Sequence, residues 1–340
     1  QMASARTIKA SIEVLNLVPV LMNGQAFRWI NPEPTVFYGV AYSRLWKLER
    51  ADEESIRWRV LARSSKTTVE KSDETVLRGY LQMDVPLSDL YLKWKTADLT
   101  LGHIKKFLKD PKLNGIRILE QEPLECLLSF ICSSNNNIKR ISKLVNHLAM
   151  LYGDRLDVIE DKEEFDKVVS LSPPLAHSFP SLDQFRLDGM EQQLRLVGFG
   201  YRAGYISKTI EKLQAEDGEK SLENQKSVST KDAKAFLMGF AGVGPKVADC
   251  IMLMSLGHAS VVPLDVHMWN ITRSLFLPSL PAKANTSGYE DVSSFYLSKF
   301  GSHAGWTQAV LFNAQLGKAE KKTAPEETKD AVDKKKRRKK

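Results

Sequence analysis

Residues 240–269 read F-A-G-V-G-P-K-V-A-D-C-I-M-L-M-S-L-G-H-A-S-V-V-P-L-D-V-H-M-W, and the fold turns on where this stretch breaks. Upstream, Ala233, Phe236, Leu237 and Phe240 recur at the spacing of an amphipathic helix. Gly242-Val243-Gly244 ends that helix, because glycine adopts the positive φ that such a turn requires. Pro245 suits the first turn of a new helix, where its missing N–H costs nothing. Val247, Cys250, Ile251 and Met254 then carry an apolar face on to Gly257. The unit is helix, tight hairpin, helix.

Such a hairpin leaves N–H groups unpaired around Gly242 and Gly244, at the head of the second helix, and these suit a phosphate oxygen. Lys246 stands in the same turn, facing the positive end of the helix dipole. That field, with partial burial, favours the neutral amine that a nucleophilic lysine needs. A solvated lysine that pairs with Asp249 at i+3, or touches phosphate as a point charge, fits the same position. Asp265 follows Pro263 and precedes a helical face of Met268, Ile271, Thr272 and Leu275, so it stands at an N-cap.

The G-V-G hairpin with lysine just after it, joined to a Pro-x-Asp that opens the next helix, resembles the helix-hairpin-helix DNA glycosylase superfamily. The resemblance implies a catalytic aspartate at Asp265 and, as in bifunctional members, a catalytic lysine at Lys246. K-V-A-D-C-I and D-V-H-M-W are similar to the 8-oxoguanine branch of that superfamily. One departure is Ala241, which stands where the hairpin often has proline.

Composition agrees with a globular protein of about two domains: 340 residues, 43% hydrophobic and 26% charged. The net charge is +8, but seven of those charges lie in Lys334 to Lys340, leaving the rest nearly neutral. Any DNA-binding surface must therefore come from local arrangement. Cys126, Cys132 and Cys250 lie in apolar helical patterns and read as reduced thiols. No cysteine follows Asp265, which excludes the iron-sulfur cluster of some superfamily members; neither a metal nor a cofactor is expected. No apolar run is long enough to span a membrane.

From Ile8 to about Ser64 the pattern is mostly strand. Ile12 and Val14 alternate with Glu13, and Leu17-Val18-Pro19-Val20-Leu21 predicts an edge strand, since proline cannot donate to a ladder. Asn23-Gly24 predicts a hairpin. Phe27 and Trp29, Val36 to Val40, Leu45 to Leu48, and Ile56 to Val60 supply further strands of a small antiparallel sheet. G-Q-A-F-R-W resembles the 8-oxoguanine branch, where the glycine, here Gly24, accepts through its carbonyl the N7 hydrogen that only the oxidised base carries.

Helical periodicity takes over from Asp84 to about Leu113, Ile116 to Leu119 suggest one more strand, and Pro123 opens a helix that stops at Ser133-Ser134-Asn135-Asn136-Asn137. The asparagines suit a left-handed stop and a cap. By resemblance, Asn135 fills the hole left by the extruded base, and Arg140 contacts the estranged cytosine. Residues Asp154 to Phe185 look like a surface loop with one short helix. Gly198-Phe199-Gly200-Tyr201-Arg202 heads a helix; the turn fits a buried tyrosine, while the resemblance makes Tyr201 a wedge and Arg202 a second reader of cytosine. Pro278 to Ser287 looks like a flexible loop. The last helix starts near Trp306 and sets Gln308 and Phe312 on one face. There the resemblance puts Gln308 on the Watson-Crick edge of the flipped base, with Phe312 stacked on its ring opposite Cys250. His267 reads as a phosphate or network histidine, since no second metal ligand is suitably spaced.

The expected fold class is α+β. An N-terminal domain (1–122), a small antiparallel sheet with helices, precedes a mainly helical glycosylase domain (123–317) and a disordered basic tail (318–340). The expected activity is excision of 8-oxoguanine opposite cytosine from double-stranded DNA by a monomer, with an associated lyase step. The basic tail suits nuclear import, and a mitochondrial address stays open because the chain begins Gln1-Met2. The alternatives are a glycosylase of the superfamily for another damaged base and a noncatalytic DNA-binding module. In the latter, Lys246 only touches phosphate and Asp265 only caps.

Overall fold

The structure, a computed structural model, describes residues 6–66, 71–97 and 106–323. Six strands, β1 (Arg6–Lys9), β2 (Trp29–Glu33), β3 (Val36–Ala41), β4 (Arg44–Arg50), β5 (Ser55–Arg63) and β6 (Asp157–Val158), form one antiparallel sheet. Its order is β1-β5-β4-β3-β2. β1 pairs with one end of β5 (Ile8 opposite Ile56) and β6 with the other (Ala62 opposite Val158). Tyr42 and Ser43, at φ 51° and 55°, make the two-residue turn between β3 and β4, a left-handed pair that matches strand twist.

Both faces of the sheet are covered, which explains why every residue of β3 is buried. Phe37 and Ala41 join Trp46, Leu48 and Trp58 in a core closed by helices Leu17–Met22 and Asp73–Tyr80. Val36, Tyr38 and Val40 point the other way, onto Phe165, Val168 and Leu175. The 154–185 segment is therefore no surface loop. It supplies β6, helix Lys162–Leu171 and the cover of the second face, anchored where Glu164 accepts from Tyr38 Oη at 2.7 Å and pairs with Lys47 and Arg59.

Other expectations for the first 122 residues need correction. Leu17–Met22 is a helix, not an edge strand; Pro19 sits in its first turn, where a missing N–H is as harmless as on a sheet edge. Ile12 to Val14 form a turn, and the strand before them is Arg6–Lys9. Asn23-Gly24 joins that helix to the approach of β2, so it is not a β-hairpin. Ile116 to Leu119 are buried but pair with no strand. Their backbone is satisfied by side chains instead: Tyr91 Oη accepts from the Ile116 N–H at 3.1 Å, and Gln25 Oε1 accepts from the Leu119 N–H at 3.0 Å.

The helical part has its own core, with Trp94, Trp269, Tyr296 and Trp306 fully buried. Helix Pro123–Ser133 runs through it, apolar on nearly every side. Around it lie Ile138–Tyr152, Arg202–Ala215, Thr230–Met238, Pro245–Met254, Val266–Leu275 and Thr286–Phe300, followed by Ala304–Thr323. The stretch read as a flexible loop is tied down: Leu280 is buried and Trp269 Nε1 donates to the Pro281 carbonyl at 2.9 Å. The last helix continues to Thr323, past the expected end at Gly317. The basic block Lys334 to Lys340 lies outside the described residues. Among the described residues no helix is long and apolar enough to cross a membrane.

Candidate active site

The hairpin forms as its glycines dictate, although the first helix already stops at Met238. Gly242 has φ +81°, and a Cβ there would stand 2.4 Å from the Tyr205 ring, so both conformation and space demand glycine. Gly244 caps helix Pro245–Met254, with Pro245 at its first position and Lys246 next. Asp265 caps helix Val266–Leu275, its Oδ1 accepting the Met268 N–H at 2.8 Å. The cap leaves the rest of the carboxylate free for other work. His267, the second residue of that helix, is exposed.

These two helix starts open onto one cavity of about 60 Å³. It is lined by Gly24, Lys246, Cys250, Asp265, Gln308 and Phe312, residues drawn from four separate stretches of the chain. Gly24, at φ +91°, brings the N-terminal part to it. Gln308 is buried and Phe312 half-buried. Sequence reasoning missed Phe130, whose ring lies 5.4 Å from Lys246 Nζ. Its place in an evenly apolar helix carries no signal. It also missed Asn23, Met254 and Asn313 on the cavity wall.

Charge in the cavity differs from the expected neutral amine. Burial works to lower the pKa of Lys246, but Cys250, Asp265 and Asp249 outweigh it and raise the group above its ordinary value. Lys246 therefore keeps its ammonium form at neutral pH in the free protein. Burial also pushes the Cys250 thiol up. Nor does Lys246 take Asp249 as a surface partner. That buried carboxylate pairs with Lys234 at 2.9 Å and accepts a hydrogen bond from Tyr289.

A second cluster sits at the end of helix Pro123–Ser133. Asn135 has φ +46°, a left-handed stop, and Asn137 Oδ1 accepts the Arg140 N–H at 3.0 Å to cap the next helix. The Ser134 carbonyl accepts from Tyr201 Oη and from Arg202 Nε, each at 3.1 Å, and Arg202 Nη2 reaches the Asn135 carbonyl at 3.0 Å. Tyr201 is 46% exposed, whereas Arg202 is only 2% exposed and stacks 4.5 Å from the Tyr201 ring. Arg140 is exposed, with a 3.4 Å bond to the Gly198 carbonyl.

A sheet backed by helices, with a hairpin that sets a lysine opposite an aspartate, is the architecture of the helix-hairpin-helix glycosylases. Residues 7–127 match the family model described as 8-oxoguanine DNA glycosylase, N-terminal domain. N-glycosylase/DNA lyase OGG1 of Arabidopsis thaliana is 36% identical over 313 residues, covering 91% of this chain and 80% of the relative. The N-glycosylase/DNA lyase of Saccharomyces cerevisiae is 33% identical, covering 89% and 84%. The Clostridium acetobutylicum 8-oxoguanine glycosylase/lyase, solved with duplex DNA containing cytosine opposite 8-oxoG, superposes with TM-score 0.72 at 26% identity, over 94% of this chain and 99% of that one. The chain belongs to the 8-oxoguanine DNA glycosylase family.

Proposed function

We propose that this chain excises 8-oxoguanine paired with cytosine from duplex DNA and then cuts the strand at the abasic site, with Lys246 as nucleophile. The observation that carries the reading is the single cavity lined by Gly24, Lys246, Cys250, Asp265, Gln308 and Phe312. A stacked base is out of reach at its glycosidic carbon, so it must be extruded, at a cost of roughly a few kcal/mol. The cavity is far smaller than the ~300 Å³ or more usual for small-molecule sites, so its walls must draw apart to admit a purine. Gln308 then meets the Watson-Crick edge, Phe312 stacks on the ring against Cys250, and the Gly24 carbonyl accepts N7–H. Asn135 and Tyr201 fill and wedge the vacated duplex. Arg140 and Arg202 face the cytosine, Arg202 after leaving the carbonyls that hold it. Phosphates lie against the hairpin N–H groups of Gly242 and Gly244, with His267 beside them.

Lys246 first loses its proton to solvent and attacks as the free amine, and the departing base takes up a proton from water. The C1′–N9 bond breaks, the amine bonds to C1′, and Asp265 stabilises the positive charge that develops on the sugar. Ring opening gives a Schiff base, and β-elimination then breaks the C3′–O bond on the 3′ side. We also assign the chain two working parts, 1–122 and the helical remainder, action as a monomer, and a nuclear address through Lys334 to Lys340.

Borohydride trapping on a duplex with 8-oxoguanine opposite cytosine tests the reading. A covalent adduct that disappears in Lys246→Gln is the expected result. Free base without an adduct would instead mean attack by water, and DNA binding with neither would mean a binding module.

A further inference from the structure

Gly24 is held by a polar frame that reaches the helix of Lys246 and the helix of Gln308 and Phe312. On one side, Asn23 donates from Nδ2 to Asn313 Oδ1, on the helix that carries Gln308 and Phe312. Asn313 is itself fixed by its bond to the Ala309 carbonyl at 2.8 Å. On the other side, Gln25 uses both ends of its amide on the 117–119 segment, donating to the Arg117 carbonyl at 2.9 Å and accepting from the Leu119 N–H at 3.0 Å. The Gln25 carbonyl accepts from Gln121 Nε2 at 2.9 Å. Gln121 is in turn clamped to the end of the helix that carries Lys246 and Cys250: its N–H donates to the Met254 carbonyl at 2.9 Å, and its carbonyl accepts from Ser255 Oγ at 2.7 Å. Gln25, Gln121 and Ser255 are all buried, so each of these bonds is costly to lose.

We propose that Asn23, Gln25, Gln121 and Asn313 are positioning residues that set selectivity for oxidised over normal guanine, by fixing the Gly24 carbonyl relative to the base pocket. This rests on the reading of Gly24 as acceptor for N7–H. Guanine offers a lone pair at N7 where the oxidised base offers a donor. The carbonyl therefore attracts one base and repels the other only while it stays within hydrogen-bond range, about 2.7–3.2 Å. A loop free to retreat by a fraction of an ångström loses both the attraction and the repulsion. The frame ties the loop to the helices that hold the nucleophile and the stacking ring, so the carbonyl keeps its place when the pocket opens.

The experiment compares single-turnover excision of 8-oxoguanine and of guanine, each opposite cytosine, with β-elimination on a preformed abasic site. The variants are Gln121→Met, which keeps the volume and removes the donor to Gln25, and Asn313→Ala, which frees Asn23 at a less buried point. The expected result is a fall of about tenfold in the ratio of 8-oxoguanine to guanine excision, with abasic-site cleavage by Gln121→Met within about twofold of the parent. Melting curves identify a variant that has not folded, and Asn313→Ala then carries the test. An unchanged ratio in folded variants, or equal loss on all three substrates, overturns the proposal and leaves the frame a purely structural one. A parent protein that excises both bases alike removes the reading of Gly24 itself, a failure visible before any variant is made.

Discussion

Lys246 and Asp265 line the same cavity from the first turns of two successive helices, and Asp265 caps its helix by accepting the Met268 N–H at 2.8 Å. In the proposed mechanism, structural and chemical duties meet in one carboxylate, and substitutions separate them.

Asn at position 265 can still cap but carries no charge. Asp265→Asn should keep the melting temperature close to the parent while slowing excision about 10²–10³-fold. Asp265→Ala should slow excision as much and also lose ~1 kcal/mol of stability with the cap. Thermal melts beside single-turnover kinetics check both. Equal destabilisation by the two variants would remove the cap from the account.

The raised pKa of Lys246 gives a pH dependence with a definite sign. Because the nucleophile must be the free amine, the excision rate should climb as pH rises toward the ordinary lysine value. Asp265 is one of the groups that raise the pKa, so Asp265→Asn should move the titration of Lys246 to lower pH, as read by pH-dependent acylation or by NMR of labelled lysine. For folding, a raised lysine pKa contributes stability that is fully present below the unfolded value, near 10.5, and is lost as pH rises through the folded one. Melting temperatures at pH 7 and 9 should therefore show no change that depends on Lys246.

Arg140 and Arg202 should part company in stability measurements. Arg202 is buried and serves the Ser134 and Asn135 carbonyls, so Arg202→Ala should cost about 2 kcal/mol in denaturant unfolding as well as activity. The exposed side chain of Arg140 makes a long bond to Gly198, and Arg140→Ala should cost less than about 0.5 kcal/mol while weakening the preference for cytosine opposite the lesion. A stability loss in Arg140→Ala as large as that of Arg202→Ala would contradict this assignment.

The two hairpin glycines also differ. Gly242→Ala meets the Tyr205 ring at positive φ and should cost roughly 2–3 kcal/mol. Around Gly244 a Cβ meets nothing within 4 Å, so Gly244→Ala should cost under about 1 kcal/mol and show itself mainly as weaker, less salt-dependent DNA binding. Denaturant melts and binding titrations at two salt concentrations read both effects.

Glu164 holds the cover of the second sheet face through Tyr38, Lys47 and Arg59. Glu164→Ala should destabilise by about 1–3 kcal/mol and leave excision per folded molecule unchanged, since none of Glu164, Tyr38, Lys47 and Arg59 lines the cavity. Urea melts paired with active-site titration would expose any direct effect on the chemistry.

The sequence by itself determined the hairpin, its lysine and the capping aspartate, because glycine, proline and N-cap preferences act over a few residues and leave local marks. Strands β3 to β5 were also legible, as short apolar runs with alternation plainest at Ile56, Trp58 and Val60 of β5. Tertiary structure alone decided whether Leu17 to Leu21 would be strand or helix, since a short apolar run with one proline satisfies either and only its packing partner chooses. It also turned the 154–185 segment from an apparent loop into the second cover of the sheet. Its apolar face is one short helical stripe, Phe165, Val168 and Val169, which by itself names no partner, and that partner lies more than a hundred residues earlier in the chain. The upward direction of the Lys246 pKa likewise depended on the acidic groups that folding gathers around it, because charges interact through space and spacing along a sequence does not measure that distance.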